Sequence, residues 1–498
     1  MLLYLNLECD ICTLRKRSKS LNTSKRIMRK HLTESTVLFI SIIKWVFLAT
    51  IAGAIVGGAT ALFLKILGWA TNVGQQSPYT FLLLPIALFL SALSIKYLAP
   101  DAEGHGTEKV IEAIHKRSGK IPILVVPVKL VATIITLAVG GSAGKEGPCA
   151  QIGAGLTSLF SDILKFDDHD RKKLVICGIS AGFAAVFGTP IAGSFFGVEV
   201  LFVGAILYEV LLPSFIAGIT AYQVSSALGI TYFHGPVNII PVFSELFLLK
   251  VMVAGLFFGI CSIILIEMLR AGDRISERIH IWKPFKGLLG GVLLVGLAYI
   301  FSIKYLGLGL PTIEAAFRGE PTDWYAFLVK PLFTAITLSF GGSGGIVTPI
   351  FFVGATAGLV FAYVFSLNAG TFAAIGLTSV LAGAANTPIA ASIMAVELFG
   401  PQIAPYATVA CVISFLITGH RSVYPSQVLS ISKSPSLQVE LGKELSNIQS
   451  SYLPRKKSLT SLILHFVDTV ERLVRKSQAG TSSSDHSKDD DAHNDKKG

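Results

Sequence analysis

The sequence predicts an all-α, polytopic membrane protein made of two duplicated halves, and three observations carry that prediction: composition, broken apolar runs and an internal repeat. Mean hydropathy is +0.64, and charged residues are only 15% of the chain beside 52% hydrophobic ones, where soluble domains carry about a quarter charged. Apolar runs cover residues 37–66, 79–99, 121–139, 172–187, 190–227, 246–268, 286–306, 326–340, 348–366, 369–399 and 403–418. Several fall short of the roughly 20 residues that span a bilayer, and Gly or Pro interrupts many. Short, broken helices are tolerated at membrane depth only where protein or a water-filled cavity covers their ends.

The repeat centres on GGSAGKEGPCAQIGAG, residues 140–155. Gly140, Gly141, Ser142, Gly144 and Pro148 return after 201 residues as Gly341, Gly342, Ser343, Gly345 and Pro349. Upstream, Val128, Lys129, Thr133 and Thr136 return as Val329, Lys330, Thr334 and Thr337. A second block, GTPIAGSFFGVEV from Gly188, matches NTPIAASIMAVEL from Asn386, and a weaker echo sets Gly104-x-Gly106 beside Gly307-x-Gly309. Glycine-broken segments recurring in the same order mark a duplicated transporter body.

In chain order, residues 1–36 form a basic segment with Arg15, Lys16, Arg17, Lys19, Lys25, Arg26, Arg29 and Lys30, which favours a cytoplasmic amino terminus. It lacks the apolar core and small-residue cleavage site of a secretory signal. Cys9 and Cys12 form a lone C-x-x-C without a second ligand pair, and Cys149, Cys177, Cys261 and Cys411 sit in apolar segments as packing residues. Lys129 and its twin Lys330 lie in apolar helices, as paired cations or as electrostatic attractors of an anion.

The central motif carries the chemistry. Glycines let backbone approach a ligand, and a helix beginning at Glu146-Gly147-Pro148 aims its free N–H groups and positive dipole end at that approach. Gly345-Ile346-Val347-Thr348-Pro349 offers a second such start from the other half. Two helix starts can hold one anion without a full positive charge that would bind it too tightly. Glu146 is then a tethered competitor for the anion, displaced or protonated for passage, or else a plain helix cap. The segment is no nucleotide-binding loop, which needs Gly at Val139 and Ser or Thr at Glu146.

These residues resemble the CLC family of chloride channels and proton-coupled chloride exchangers. Gly144-Lys145-Glu146-Gly147-Pro148 matches the family's motif around the gating glutamate, Gly345 to Pro349 matches its second anion motif, and Tyr424 in SVYPSQVL fits the tyrosine that offers a hydroxyl to the anion. The resemblance covers roughly residues 37–430. It implies two inverted repeats of tilted, broken helices (halves about 37–227 and 246–430) and a homodimer with one anion pathway per subunit. Implied anion-binding positions are His105, Gly106, Gly144, Lys145, Gly147, Gly345, Ile346, Val347 and Tyr424, with Glu146 gating.

Two departures bear on mechanism. The family's first anion motif places a serine where His105 stands, and His105 can donate an N–H to the anion, carry a proton, or turn away. Proton-coupled members often place an inner glutamate at the position that aligns with Val200, which cannot titrate. The neighbouring Glu199 repeats as Glu397 and suggests a helix contact or dimer packing. The reading therefore places a chloride channel gated by Glu146 first and a chloride/proton antiporter of the same fold second. A membrane-embedded enzyme stands last, since no H-E-x-x-H, second C-x-x-C or Asp-rich pair is present. No metal or cofactor is expected.

After Ser430 only a tail over 431–498 remains, too short for paired regulatory domains. Leu459, Leu462, Ile463, Phe466, Val467, Val470, Leu473 and Val474 share one helical face over about 459–475, and 477–498 has a disorder-type composition. The net charge of +11 gathers at the amino terminus and in short loops, which suits anionic lipid and topology rather than nucleic acid. The expected setting is the plasma (inner) membrane, with a small anion and protons as partners.

Overall fold

A computed structural model describes the backbone of residues 2–232, 244–448 and 451–452, and the side chains of residues 33–232, 244–448 and 451. The first half comprises α1 (Leu2–Gln75), α2 (Leu84–Leu98), α3 (Thr107–Lys116), α4 (Val125–Ala138), α5 (Glu146–Ile163), α6 (Asp168–Phe187), α7 (Pro190–Glu199) and, after the two-residue strand β1 (Phe202–Val203), α8 (Tyr208–Ala227). The second comprises α9 (Glu245–Arg278), α10 (Lys283–Ile300), α11 (Leu310–Arg318), α12 (Ala326–Ser339), α13 (Val347–Val364), α14 (Ala369–Ala385), α15 (Pro388–Phe399) and α16 (Ala404–Thr418). Short strands β2 (Val428–Leu429), β3 (Leu437–Gln438) and β4 (Ser451–Tyr452) follow. β1 pairs with β2 in parallel, tying the chain after α16 back to the end of α7.

The halves repeat helix by helix: α12 and α13 begin 201 residues after α4 and α5, and α15 begins 198 after α7. Among the described residues, seven helices are long and apolar enough to cross a bilayer, and α4, α12, α14 and α15 are shorter apolar helices. Large apolar side chains such as Phe47, Trp69, Ile86, Ile260, Val292 and Leu416 face outward, whereas α6, α13 and α14 are buried along most of their lengths. Helices that are apolar outside as well as inside need lipid as their solvent, and the protein is an integral membrane protein.

Two expected apolar runs, 190–227 and 369–399, are each split into two helices. Hydropathy continues through the breaks, but backbone chemistry does not. Asn386 ends α14 in the left-handed region (φ 57°), and Pro388 opens α15; within 190–227 the chain leaves α7 at Glu199, runs through β1 and turns at Gly204 (φ 87°) before α8. The expected boundary at residue 36 is not a break either, since α1 runs on from Leu2 through the first apolar run. The side chains of Cys9 and Cys12, and the whole expected tail helix over 459–475 with the segment 477–498, lie outside the described residues. Cys149, Cys177, Cys261 and Cys411 are free and buried.

The duplicated acids form a reciprocal clasp. Glu199, at the end of α7, accepts hydrogen bonds from Ile389 N (3.0 Å) and Ala390 N (2.8 Å) at the start of α15. Glu397, on α15, accepts from Ile191 N (2.9 Å) and Ala192 N (2.8 Å) at the start of α7. The first turn of a helix has N–H groups without partners and a positive dipole end, so each carboxylate satisfies both needs of the opposite helix. The twin acids are helix contacts. Replacing Glu199 with Ala strands two N–H groups, each worth about 1–3 kcal/mol when buried unpaired. Thermal unfolding in detergent should show a large loss for Glu199→Ala and a smaller one for Glu199→Gln, and equal losses would exclude the capping role.

Candidate anion-transport site

The loops that precede α5 and α13 meet face to face. Gly144 N donates to Gly345 O (2.7 Å) and Gly345 N to Gly144 O (2.6 Å). Around them, Ser142 N donates to Thr337 Oγ1 and Ser343 N to Thr136 Oγ1, both at 3.0 Å. Hydroxyl pairs Thr133–Ser343 (3.0 Å) and Ser142–Thr334 (3.1 Å) complete the set. Each bond maps onto another by the 201-residue offset, so the sequence repeat is a pseudo-twofold relation in space, and it brings the starts of α5 and α13 to one place. Of the expected anion-binding positions, Gly144 and Gly345 have their N–H groups taken by each other and build the frame.

Close approach explains the glycines. A Cβ on Gly144 would lie 2.2 Å from Glu146 Oε2, and one on Gly345 would lie 2.6 Å from the same oxygen. A Cβ on Gly147 would lie 1.8 Å from the His105 carbonyl, and one on Gly106 would lie 2.5 Å from the Gly147 carbonyl. The loop carrying His105 and Gly106 is thus seated directly on the first turn of α5. Two buried cations secure that arrangement. Lys129 Nζ donates to Ala102 O (3.1 Å) and Gly104 O (2.6 Å), and Lys330 Nζ donates to Tyr305 O (2.9 Å) and Gly307 O (2.7 Å). Each lysine ties down the glycine loop of its own half.

Glu146 is 1% exposed. Its Oε1 accepts a hydrogen bond from the Thr348 hydroxyl at the start of α13, and the N–H groups of Lys145, Glu146 and Thr348 lie near the carboxylate. Oε2 has no well-formed partner. A carboxylate here occupies the space into which both helix starts point, as a tethered anion would. Ile346 and Val347 are buried beside it.

Cavities with separate linings reach the neighbours of Glu146. One of about 450 Å³ is lined by Lys145, Phe187, Tyr232, Glu314, Thr348 and Phe351 among others. A second, of about 230 Å³, reaches His105, Glu108, Arg270, Asp273 and Val423, and it shares Glu103, Gly104 and Lys109 with an adjoining cavity of about 660 Å³. The first shares no lining residue with the other two. Tyr424 is fully buried, with its ring 5.5 Å from that of His105. Its hydroxyl lies beside the Thr107 side chain without forming a good hydrogen bond. His105 Nδ1, Glu108 Oε2, Glu146 Oε2 and the Tyr424 hydroxyl are all buried without a hydrogen-bond partner. Buried polar atoms are rarely left so, and their gathering around Glu146 is what a route for a small hydrogen-bonding solute requires.

Val200 is buried at the end of α7, and its carbonyl accepts from Gln427 Nε2 (2.8 Å), three residues beyond Tyr424. Sequence reasoning did not single out Thr348, Glu108 or Ser426. Thr348 holds Glu146, and Glu108 Oε1 accepts from Ser426 N (2.9 Å) and Ser426 Oγ (2.5 Å). The available signal was a hydroxyl residue directly before Pro349, in the first turn facing the acid.

Known proteins share this architecture. The family model described as voltage gated chloride channel matches residues 86–419. A chloride/fluoride channel protein of Pseudomonas syringae pv. tomato is 37% identical over 403 residues, covering 79% of this chain and 88% of that protein. The H(+)/Cl(-) exchange transporter ClcA of Klebsiella pneumoniae is 25% identical over 416 residues, covering 75% of this chain and 83% of ClcA. The crystal structure of a CLC-type fluoride/proton antiporter superposes with a TM-score of 0.75 at 30% identity, covering 79% of this chain and 99% of that one. On the paired glycine motifs, the inverted halves and these matches, the chain belongs to the voltage gated chloride channel (CLC) family of anion-transporting membrane proteins.

Proposed function

We propose that the protein exchanges a small halide for protons across a membrane, with fluoride as the favoured anion and Glu146 as the group that alternates between them. The observation that carries this reading is the placement of the Glu146 carboxylate over the starts of both α5 and α13, held by Thr348. An ionised carboxylate there fills the anion's place. A protonated one has lost the charge that competes, so anion entry and proton binding are linked at a single side chain. Fluoride, the smallest halide, gains most from short N–H and O–H contacts. The names of two relatives, the channel protein from Pseudomonas and the superposed antiporter, include fluoride.

The sequence placed a channel first because Val200 cannot titrate, and the Pseudomonas relative is named a channel. Similarity to proteins named as antiporters supports exchange better. On this reading the anion contacts Gly106, Gly147, Ile346 and Val347 backbone, the Tyr424 hydroxyl and the His105 ring, with Lys145 near the entry. The working form is a homodimer in the plasma (inner) membrane, its amino terminus in the cytoplasm and Glu146 gating from the outer side.

Liposomes holding purified protein and a fluoride gradient should drive protons uphill, with chloride a poorer driver; anion flux that leaves protons undisturbed would instead establish a channel. Glu146→Gln should abolish proton movement and leave anion flux insensitive to pH, and a retained pH dependence would remove Glu146 from its assigned role. Thr348→Val deletes a hydroxyl donor to the carboxylate. A hydrogen bond to a charged acceptor contributes about 1.5–3 kcal/mol, so the mutant's fluoride flux at neutral pH should rise by about tenfold or more. Flux equal to that of wild type would show that Thr348 does not hold the gate.

A further inference from the structure

Exchange through Glu146 needs a proton supply on the side away from Thr348, and the position that could have carried an acid there holds Val200. The second cavity contains a different acid. Glu108, in the first turn of α3, lines it together with His105. One carboxylate oxygen, Oε1, is fixed by Ser426 N and Oγ, whereas Oε2 is buried with no partner. His105 Nδ1 is likewise buried and unpartnered, and the ring stands beside Tyr424. The His105 carbonyl in turn packs on Gly147, the residue next to Glu146.

We infer that Glu108 and His105 form a proton station between this cavity and Glu146, supplying the titratable step that Val200 cannot. The inference rests on the exchange reading. Glu108 Oε2 takes a proton from cavity water and becomes a neutral acid. It passes that proton to the imidazole, which becomes a cation and then returns to neutral by giving the proton to the Glu146 carboxylate. One proton enters and one leaves, and no other species is consumed. Fixing one oxygen of Glu108 on Ser426 leaves the other to exchange protons without moving the side chain, the arrangement general acid–base groups use.

The surrounding charges bear on this step from every side. Lys109 and Glu112 share α3 with Glu108, and Lys129 on α4 acts on His105. Across the cavity stand Arg270 and Asp273 on α9. Glu146 and Glu108 both act on Tyr424. Glu108 feels cationic Lys109 and anionic Glu112, whereas the charges acting on His105, Lys129 and Lys109, are both cationic, so the imidazole rests neutral and holds the proton only in transit from Glu108 to Glu146.

Purified wild-type, Glu108→Gln and His105→Gln proteins in liposomes would be compared by fluoride electrode and internal pH dye. Glu108→Gln should keep fluoride flux within about threefold of wild type while proton flux falls about tenfold or more, and Glu108→Asp should restore part of it. Exchange at the wild-type proton-to-fluoride ratio in Glu108→Gln overturns the inference. Should that variant fail to give monodisperse protein, His105→Gln decides by the same ratio: a lowered ratio supports the station, an unchanged one overturns it. A wild type that moves fluoride without protons overturns the exchange reading, and the station with it, whereas a coupled wild type with a coupled Glu108→Gln overturns the station alone.

Discussion

Everything at the centre of the molecule depends on four exposed ends of hydrogen-bonding backbone being brought together where no bulk water can satisfy them. Gly144 and Gly345 solve half of the problem by bonding to each other. The helix starts beside them are left with donors that only an anion, or a carboxylate acting as one, can use. A lysine placed there would bind an anion more strongly and release it more slowly; partial charges on backbone suit a solute that has to move on. The two lysines that are close by instead donate to carbonyls of the glycine loops, stiffening the walls rather than contacting the solute.

The same exchange of roles between halves recurs where α7 meets α15. Glu199 and Glu397 each belong to one helix and complete another, so neither α7 nor α15 has a satisfied first turn without its counterpart. Such mutual dependence makes the halves one cooperative unit although they come from separate stretches of chain. It also explains how helices of 10 and 12 residues, too short to span a bilayer, hold their place within it.

Much of this was legible in the sequence because it was written twice. The glycine motifs, the paired lysines and the twin acids were found by their offset, and the structure gives each a partner at the matching place. What was missed came from contacts that the offset does not relate. Thr348 stands opposite Glu146 only because α5 and α13 face each other, and its own twin is Gly147, which carries no side chain to suggest a hydroxyl. Glu108 follows a glycine turn that drew attention for its histidine, and its partner Ser426 is 318 residues away. The merged apolar runs failed for a simpler reason: Asn386 and Pro388 end one helix and start another without lowering hydropathy enough to show.

The pseudo-twofold relation is complete in the frame and broken at one side chain, since the twin of Glu146 is Val347. A path whose walls are nearly the same seen from either end therefore carries its carboxylate on one side of the midpoint only. With Glu146 as the gate proposed above, the result is a vectorial device made from a symmetric one: acid on the Thr348 side meets the gate directly, while acid on the Tyr424 side has a layer of protein to cross. Equal pH changes on the two faces would then be felt with unequal delay, and the direction in which the protein sits in its membrane becomes part of its function.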